Sequence, residues 1–435
     1  MMAGLTRQAL RSNPWSFLGP ASTQCLAAAI VAGSLGATRS FDGVRLDASD
    51  VPELAAIFLL IAIYLSAIIV GVTMSATVAR QARDIALVRA IGGTPGRVRR
   101  AVALQAVLVA VPATLVGVPL GTLGGRAWIR GLIDHGVVPA AVGFRAHPAA
   151  LPIALAVTVG TSLIGALIAA IRPSRVRPAV ALAESAAPRR RIGVPRTALG
   201  VVLVAAGVVL SVLISGLGAR QADGAAFFVM LAMCVGAGLL APALLRVFAP
   251  AARLFGPSGR LAADTIAVRA KALSGALVPL TLATAFAAVK VLAHTTTTHV
   301  TGVAEPAAAV WTDYSGTAVY VAFAAVAALN TLITVVLAGR RDLAVTQLAG
   351  GTRGRVLRVV IWEALIVTGT GLLVAAAVAG TTLLPMLHSA LGTWTPWMPA
   401  HYLVAGVLAV TALVLTGTAL PAALAMRRPP IEVVG

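Results

Sequence analysis

Ten apolar stretches, each about twenty or more residues long and divided by short arginine-bearing segments, constrain this chain more than any other feature. They fall at about 15–37, 53–79, 100–126, 149–171, 197–217, 225–248, 273–293, 316–338, 358–385 and 401–425. A helix needs about 20 mostly apolar residues to cross about 30 Å of hydrocarbon, so each stretch reads as one crossing. Only 11% of the residues are charged and the mean hydropathy is +0.94. A water-facing surface needs roughly a quarter of the residues charged; this chain can only face lipid. The expected fold is an all-α membrane protein with about ten transmembrane helices. The stretches at 53–79 and 358–385 exceed a single crossing, which predicts helical stalks beyond the bilayer.

The net charge of +20 does not indicate nucleic acid, because the arginines cluster between apolar runs, where they suit a membrane surface. Cys25 and Cys234 lie inside apolar runs with no CxxC partner and read as small buried hydrophobes. Arg7 and Arg11 precede the first run, as in a secretory leader, but the run is longer than a leader's apolar core. An uncleaved first span is expected.

Counting alternate loops, one side of the membrane holds 27 of the 34 basic residues and the other seven. The positive-inside rule puts both termini and the segments near 80–100, 172–196, 246–272 and 339–358 in the cytoplasm. The six tryptophans (15, 128, 311, 362, 394 and 397) fall at span ends, and the six histidines fall on the outer side. Lys290 and Glu363 sit near opposite ends of their spans, and no carboxylate lies near a midplane. That pattern argues against a proton- or sodium-coupled carrier. Only Lys271 and Lys290 are lysines, an arginine and alanine bias associated with GC-rich bacterial genomes, so a bacterial inner membrane is the expected location.

An internal repeat carries the function. RDIALVRAIGGTPGRVRRAVALQA from Arg83 aligns without gaps to RDLAVTQLAGGTRGRVLRVVIWEA from Arg341, with 12 of 24 positions identical. A weaker match, RPAVAL after the fourth span and PPIEVV after the tenth, closes each copy. The plan is a four-helix unit over 1–182, a linker and two-helix insert over 183–258, and a second four-helix unit over 259–435. An insert of two spans keeps both copies running in the same direction, so both motifs hang on one face. Within the motif, a stalk with Ile85, Val88 and Ile91 on one stripe meets Gly92 and Gly93, which can adopt the left-handed conformation that ends helices. Thr94 can cap the next helix, with Pro95 at its first position, and Gly350, Gly351 and Thr352 repeat the device. One such corner could be an ordinary re-entry turn. Two in equivalent positions read as paired docking elements.

The RDIALVRAIGGTPGRV stretch resembles the signature of the FtsX-like permease family, the MacB-type class of ABC transporter permeases. The resemblance covers both four-helix units and implies a duplicated unit. In that family the segment between the second and third helices of each unit touches the ATPase. The resemblance therefore implies that 80–99 and 338–357 dock an ABC ATPase, expected as a dimer that holds the ATP and magnesium, so this chain itself needs no cofactor. Arg83, Asp84, Arg89, Gly92, Gly93 and Thr94 are the implied coupling residues in the first copy, and Arg341, Asp342, Gly350, Gly351 and Thr352 in the second. The second copy has Gln347 and Leu348 where the first has Arg89 and Ala90. Many members carry an extracytoplasmic domain after the first helix of a unit; the outer segments here, about 38–52 and 294–315, are too short for one.

No GxxxxGK[ST] phosphate loop is present, so the chain is not expected to be an enzyme. The sequence HTTTTH (His294 to His299) is expected to be an ordinary outer loop, and Gly117, Gly121 and Gly125, echoed by Ala375 and Ala379, a packing face between the two units. The reading is a permease subunit coupling a partner's ATP hydrolysis to export, or to extraction of an amphipathic substrate from lipid. The rival readings are a non-transporting signalling scaffold driven by such an ATPase, against which the short outer segments argue, and a secondary carrier.

Overall fold

Runs of Ala, Val, Leu and Gly bounded by arginine leave the backbone one economical way to satisfy its amides in lipid, and it is helical almost throughout. The computed structural model describes residues 15–42, 82–90, 92–175, 193–214 and 219–427, with isolated positions at 59, 63, 67, 70, 78 and 429. Among the described residues there is no strand. The α-helices are α1 (Trp15–Ser40), α2 (Ala82–Ala90), α3 (Pro95–Asp134), α4 (Ala150–Arg175), α5 (Val194–Ile214) and α6 (Ala219–Phe248). A 3-10 segment, Ala249–Phe255, leads into α7 (Gly256–Thr301), followed by α8 (Ala307–Ala338), α9 (Arg340–Leu348), α10 (Arg353–Leu391) and α11 (Ala400–Ala425).

Eight stretches among the described residues are long and apolar enough to cross a membrane. One of them, Val229–Thr301, holds two of the expected spans, in α6 and α7. The chain is an all-α membrane protein. The expected span 53–79 lies outside the described residues apart from isolated positions, as do the closing RPAVAL and most of PPIEVV.

Three helices are much longer than the bilayer requires. At 1.5 Å per residue, α3, α7 and α10 measure about 60, 69 and 58 Å, roughly twice the hydrocarbon thickness. The outer segment expected near 294–315 is therefore mostly the end of α7 and the start of α8, with only 302–306 non-helical. HTTTTH, expected to be a loop, forms the last turns of α7, where Thr295 and Thr296 are held by the backbone of Trp397. The helix ends at Gly302, left-handed at φ +68°.

The chain divides into two compact units, Met1–Arg189 with Pro306–Phe323, and Arg190–Glu305 with Ala324–Gly435. In the first, α1 packs on α3 through the glycine stripe. A β-carbon on Gly121 would lie 2.1 Å from the Ala29 carbonyl oxygen, and one on Gly117 would lie 2.2 Å from that of Cys25. Only glycine permits that approach. The stripe thus packs inside the first unit, against Cys25, Ala28, Ala29 and Gly33 of α1, and not between units as expected from sequence. Buried hydroxyls and an amide add direction, with Gln24 Nε2 donating to Ser162 Oγ at 2.7 Å and Thr114 bonded to Thr158 at 2.7 Å.

In the second unit α5 and α6, the two-helix insert, pack with α7 and α10. Proline explains how. Pro242 in α6 has no N–H for the Gly238 carbonyl, and Pro385 in α10 has none for that of Thr381. Helix α5 supplies both missing donors: Arg196 donates to the Gly238 and Leu239 carbonyls at 3.3 and 3.1 Å, and Ser211 Oγ donates to Thr381 O at 2.6 Å. In lipid, donors of this kind make helix-breaking prolines tolerable.

Candidate functional site

The two repeat copies build the same corner. In the first, α2 buries Ile85 and Ala86 and leaves Leu87 exposed. Gly92 then turns the chain at φ +94°, its N–H bonded to the Arg89 carbonyl at 3.1 Å. Thr94 caps α3: its side chain accepts from the Arg97 N–H at 3.4 Å, with Pro95 in the first turn. Capping by threonine satisfies one of the donors every helix start leaves open.

The second corner matches it position by position. Ala344 is buried like Ala86, and Val345 is exposed like Leu87, both at 49%. Gly350 takes φ +90° with its N–H on the Gln347 carbonyl at 3.0 Å, and Thr352 accepts from the Arg355 N–H at 3.3 Å. Val98 and Val356, the first inward residues of α3 and α10, are both buried, as are Val102 and Val360 one turn later. Twelve identities in sequence thus correspond to one shared backbone device.

Both glycines of each pair were expected to be free for the left-handed turn; only the first of each pair, Gly92 and Gly350, has positive φ. Gly351 serves a different need: its N–H bonds to the Thr346 carbonyl at 3.1 Å, and a β-carbon would lie 2.7 Å from that oxygen. Arg83 and Asp84 lie on α2, with side chains outside the described residues, as is Ile91, while Arg89 is half-buried. Arg341 and Asp342 are exposed in the first turn of α9, where a carboxylate meets the positive end of the helix dipole favourably. Leu348 is exposed as well.

The stripe expected on the first stalk named Ile85 and Val88 but missed Leu87. The signal was available: Leu87 and Val345 are aligned apolar residues in a charged, water-side segment, and a helix of nine residues has one buried face only. An exposed apolar side chain at the same place in both copies suits contact with another surface.

The entrance to α9 is braced from below. Gly339 leaves room for the Arg269 guanidinium, whose nitrogen would lie 2.2 Å from a β-carbon there. Arg269 Nη2 donates to the Val335 carbonyl at 2.8 Å at the end of α8. Arg269, Glu363 and Leu343 of α9 line one small cavity. Glu363 aligns with Gln105 in the first copy, so this carboxylate has no counterpart at the aligned position of the first corner.

At the opposite end of α7, His294 pairs with Glu305, and His299 stacks on Trp397 at 4.3 Å. Thr295 and Thr296 donate to the Trp397 carbonyl, and Thr296 accepts the Trp397 N–H at 3.0 Å. The HTTTTH turn thus holds the segment between α10 and α11. Among the described residues no three His, Cys, Asp or Glu side chains come together as a metal centre would need.

Residues 56–178 match the family model of the FtsX-like permease C-terminal domain. Comparison with the curated proteins finds no match. The matched segment contains the first corner and the helices α3 and α4 that follow it. Over that segment the chain is similar to the FtsX-like permeases, a family of membrane permease components of ABC-type transporters.

Proposed function

We propose that this chain is the membrane-spanning subunit of a MacB-type ABC transporter, built from a duplicated four-helix unit, and that its two corners seat a dimeric ABC ATPase. The units comprise 1–182 and 259–435, with 183–258 an insert built onto the second. Both termini and both corners face the cytoplasm of a bacterial cell. The partner holds ATP and magnesium and performs the hydrolysis. Its closure draws the corners together, and the long helices behind them carry that movement through the bilayer to export a substrate, or extract an amphipathic one from lipid.

One observation carries the reading: two nine-residue helices, α2 and α9, each ending in a left-handed glycine and a threonine cap, each presenting an exposed apolar residue at the same register. A re-entry turn has no need of the matched Leu87 and Val345. Leu87→Asp together with Val345→Asp should leave insertion intact, because both side chains are exposed, and should abolish co-purification with a co-expressed partner ABC ATPase. Undiminished co-purification and transport would remove the docking assignment.

A further inference from the structure

We propose that the turn between α6 and α7 is a membrane-surface anchor that binds anionic phospholipid. The segment is turned inside out relative to a water-facing loop. Its small residues, Ala249, Ala252 and Gly259, are buried against the second unit's core, whereas its large apolar ones point outward. Leu254 is 84% exposed, Val247 70%, Phe255 55% and Leu261 44%. The lipid-facing helix α5 shows the same inversion, with Val201, Val202 and Leu213 more than half exposed. Water would penalise such a patch; hydrocarbon would not.

The depth follows from the neighbours. Phe255 stacks on Trp362 with ring centroids 4.1 Å apart. Trp362 stands one turn past Arg358 in α10, and indoles preferentially occupy the boundary between headgroups and acyl chains. Three arginines, Arg246, Arg253 and Arg260, recur through the same turn, and among the described residues only Arg253 has a carboxylate against it, Asp264 at 3.0 Å. Arg246 also donates to the Ala267 carbonyl at 3.3 Å. Arg260 is exposed. Apolar side chains with arginines at interfacial depth fit a phosphate-bearing, negatively charged lipid surface. The turn is also held stiffly. A β-carbon on Gly259 would lie 2.0 Å from the Ala252 carbonyl, so the 3-10 segment lies directly on the first turn of α7. The proposed ATPase-docking corners look different: they expose only Leu87 in the first copy and Val345 and Leu348 in the second, in a charged setting, not a contiguous apolar knuckle.

The test places one probe at the tip. In the full chain with Cys25→Ala and Cys234→Ala, Leu254→Cys is labelled with an environment-sensitive fluorophore and reconstituted in lipid nanodiscs, where both faces meet solvent. The expected result is blue-shifted emission, protection from iodide, and quenching by lipids brominated near the headgroup end of the acyl chain. The shift should deepen when phosphatidylglycerol replaces part of the phosphatidylcholine. Arg260→Gln should raise the phosphatidylglycerol needed for half the effect about fivefold, corresponding to about 1 kcal/mol per arginine at a membrane surface. A probe that is solvent-exposed in both lipids overturns the proposal. So does shielding that appears only when the ATPase is added, which would make the knuckle a protein interface. Equal shifts in the two lipids overturn the anionic assignment.

Discussion

A β-carbon at Gly92 or Gly350 would meet no neighbour within 4 Å; the obstacle there is the backbone, at φ +94° and +90°. A side chain in that conformation costs about 1–2 kcal/mol, more when β-branched. At Gly121 the situation is reversed. The conformation is ordinary and helical, but a β-carbon would strike the Ala29 carbonyl at 2.1 Å. These two kinds of glycine should fail differently. Gly92→Val should lower the thermal stability of the purified chain in detergent by no more than that local cost, since nothing crowds the position and the turn can rearrange without moving the long helices, while weakening ATPase association. Gly121→Val should drive α1 from α3, lowering the melting temperature by the equivalent of about 1–3 kcal/mol of overpacking or more. If Gly92→Val proves the less stable of the two, the corner is part of the folding core and not a docking element.

The insert helix α5 illustrates what an element can do that its sequence does not announce. Its outer face is plain aliphatic surface, yet Arg196 and Ser211 complete the hydrogen bonding of two other helices, each interrupted by a proline. If Ser211 matters because Pro385 lacks an N–H, the two substitutions should be coupled. Ser211→Ala alone should cost about 0.6–1 kcal/mol, typical of a hydrogen bond between membrane helices. In a Pro385→Ala background the Thr381 carbonyl regains a helical donor, and Ser211→Ala should become nearly neutral. A double-mutant cycle read from detergent unfolding measures the difference; additive costs would mean that Ser211 acts through packing alone.

At the scale of the whole molecule, the arginine asymmetry makes a claim about sidedness that chemistry can check. Single cysteines introduced within 80–99, 180–191 and 340–357, with Cys25 and Cys234 replaced, should resist an impermeant maleimide added outside intact cells, whereas positions within 135–147 should react. External labelling of Arg190→Cys would overturn the ten-span arrangement. The purified chain should hydrolyse no ATP alone, having no phosphate loop to hold it.

Apolar run length, arginine placement and the doubled RD…GGT…GRV motif already specified a helical membrane protein with two equivalent corners, because crossing length, interfacial charge and capping are local requirements written within about twenty neighbouring residues. The cap threonines needed nothing beyond their own sequence. Where the Gly117–Gly121–Gly125 stripe finds its partner, and that HTTTTH continues a helix rather than forming a loop, were decided by tertiary structure. Each depends on what a distant segment brings: the carbonyls of α1 for the stripe, the Trp397 backbone for the threonines, the donors of α5 for the prolines of α6 and α10. Hydrogen bonds and close approaches between residues 42 to 170 positions apart have no periodicity to betray them, and only the assembled bundle brings the partners together.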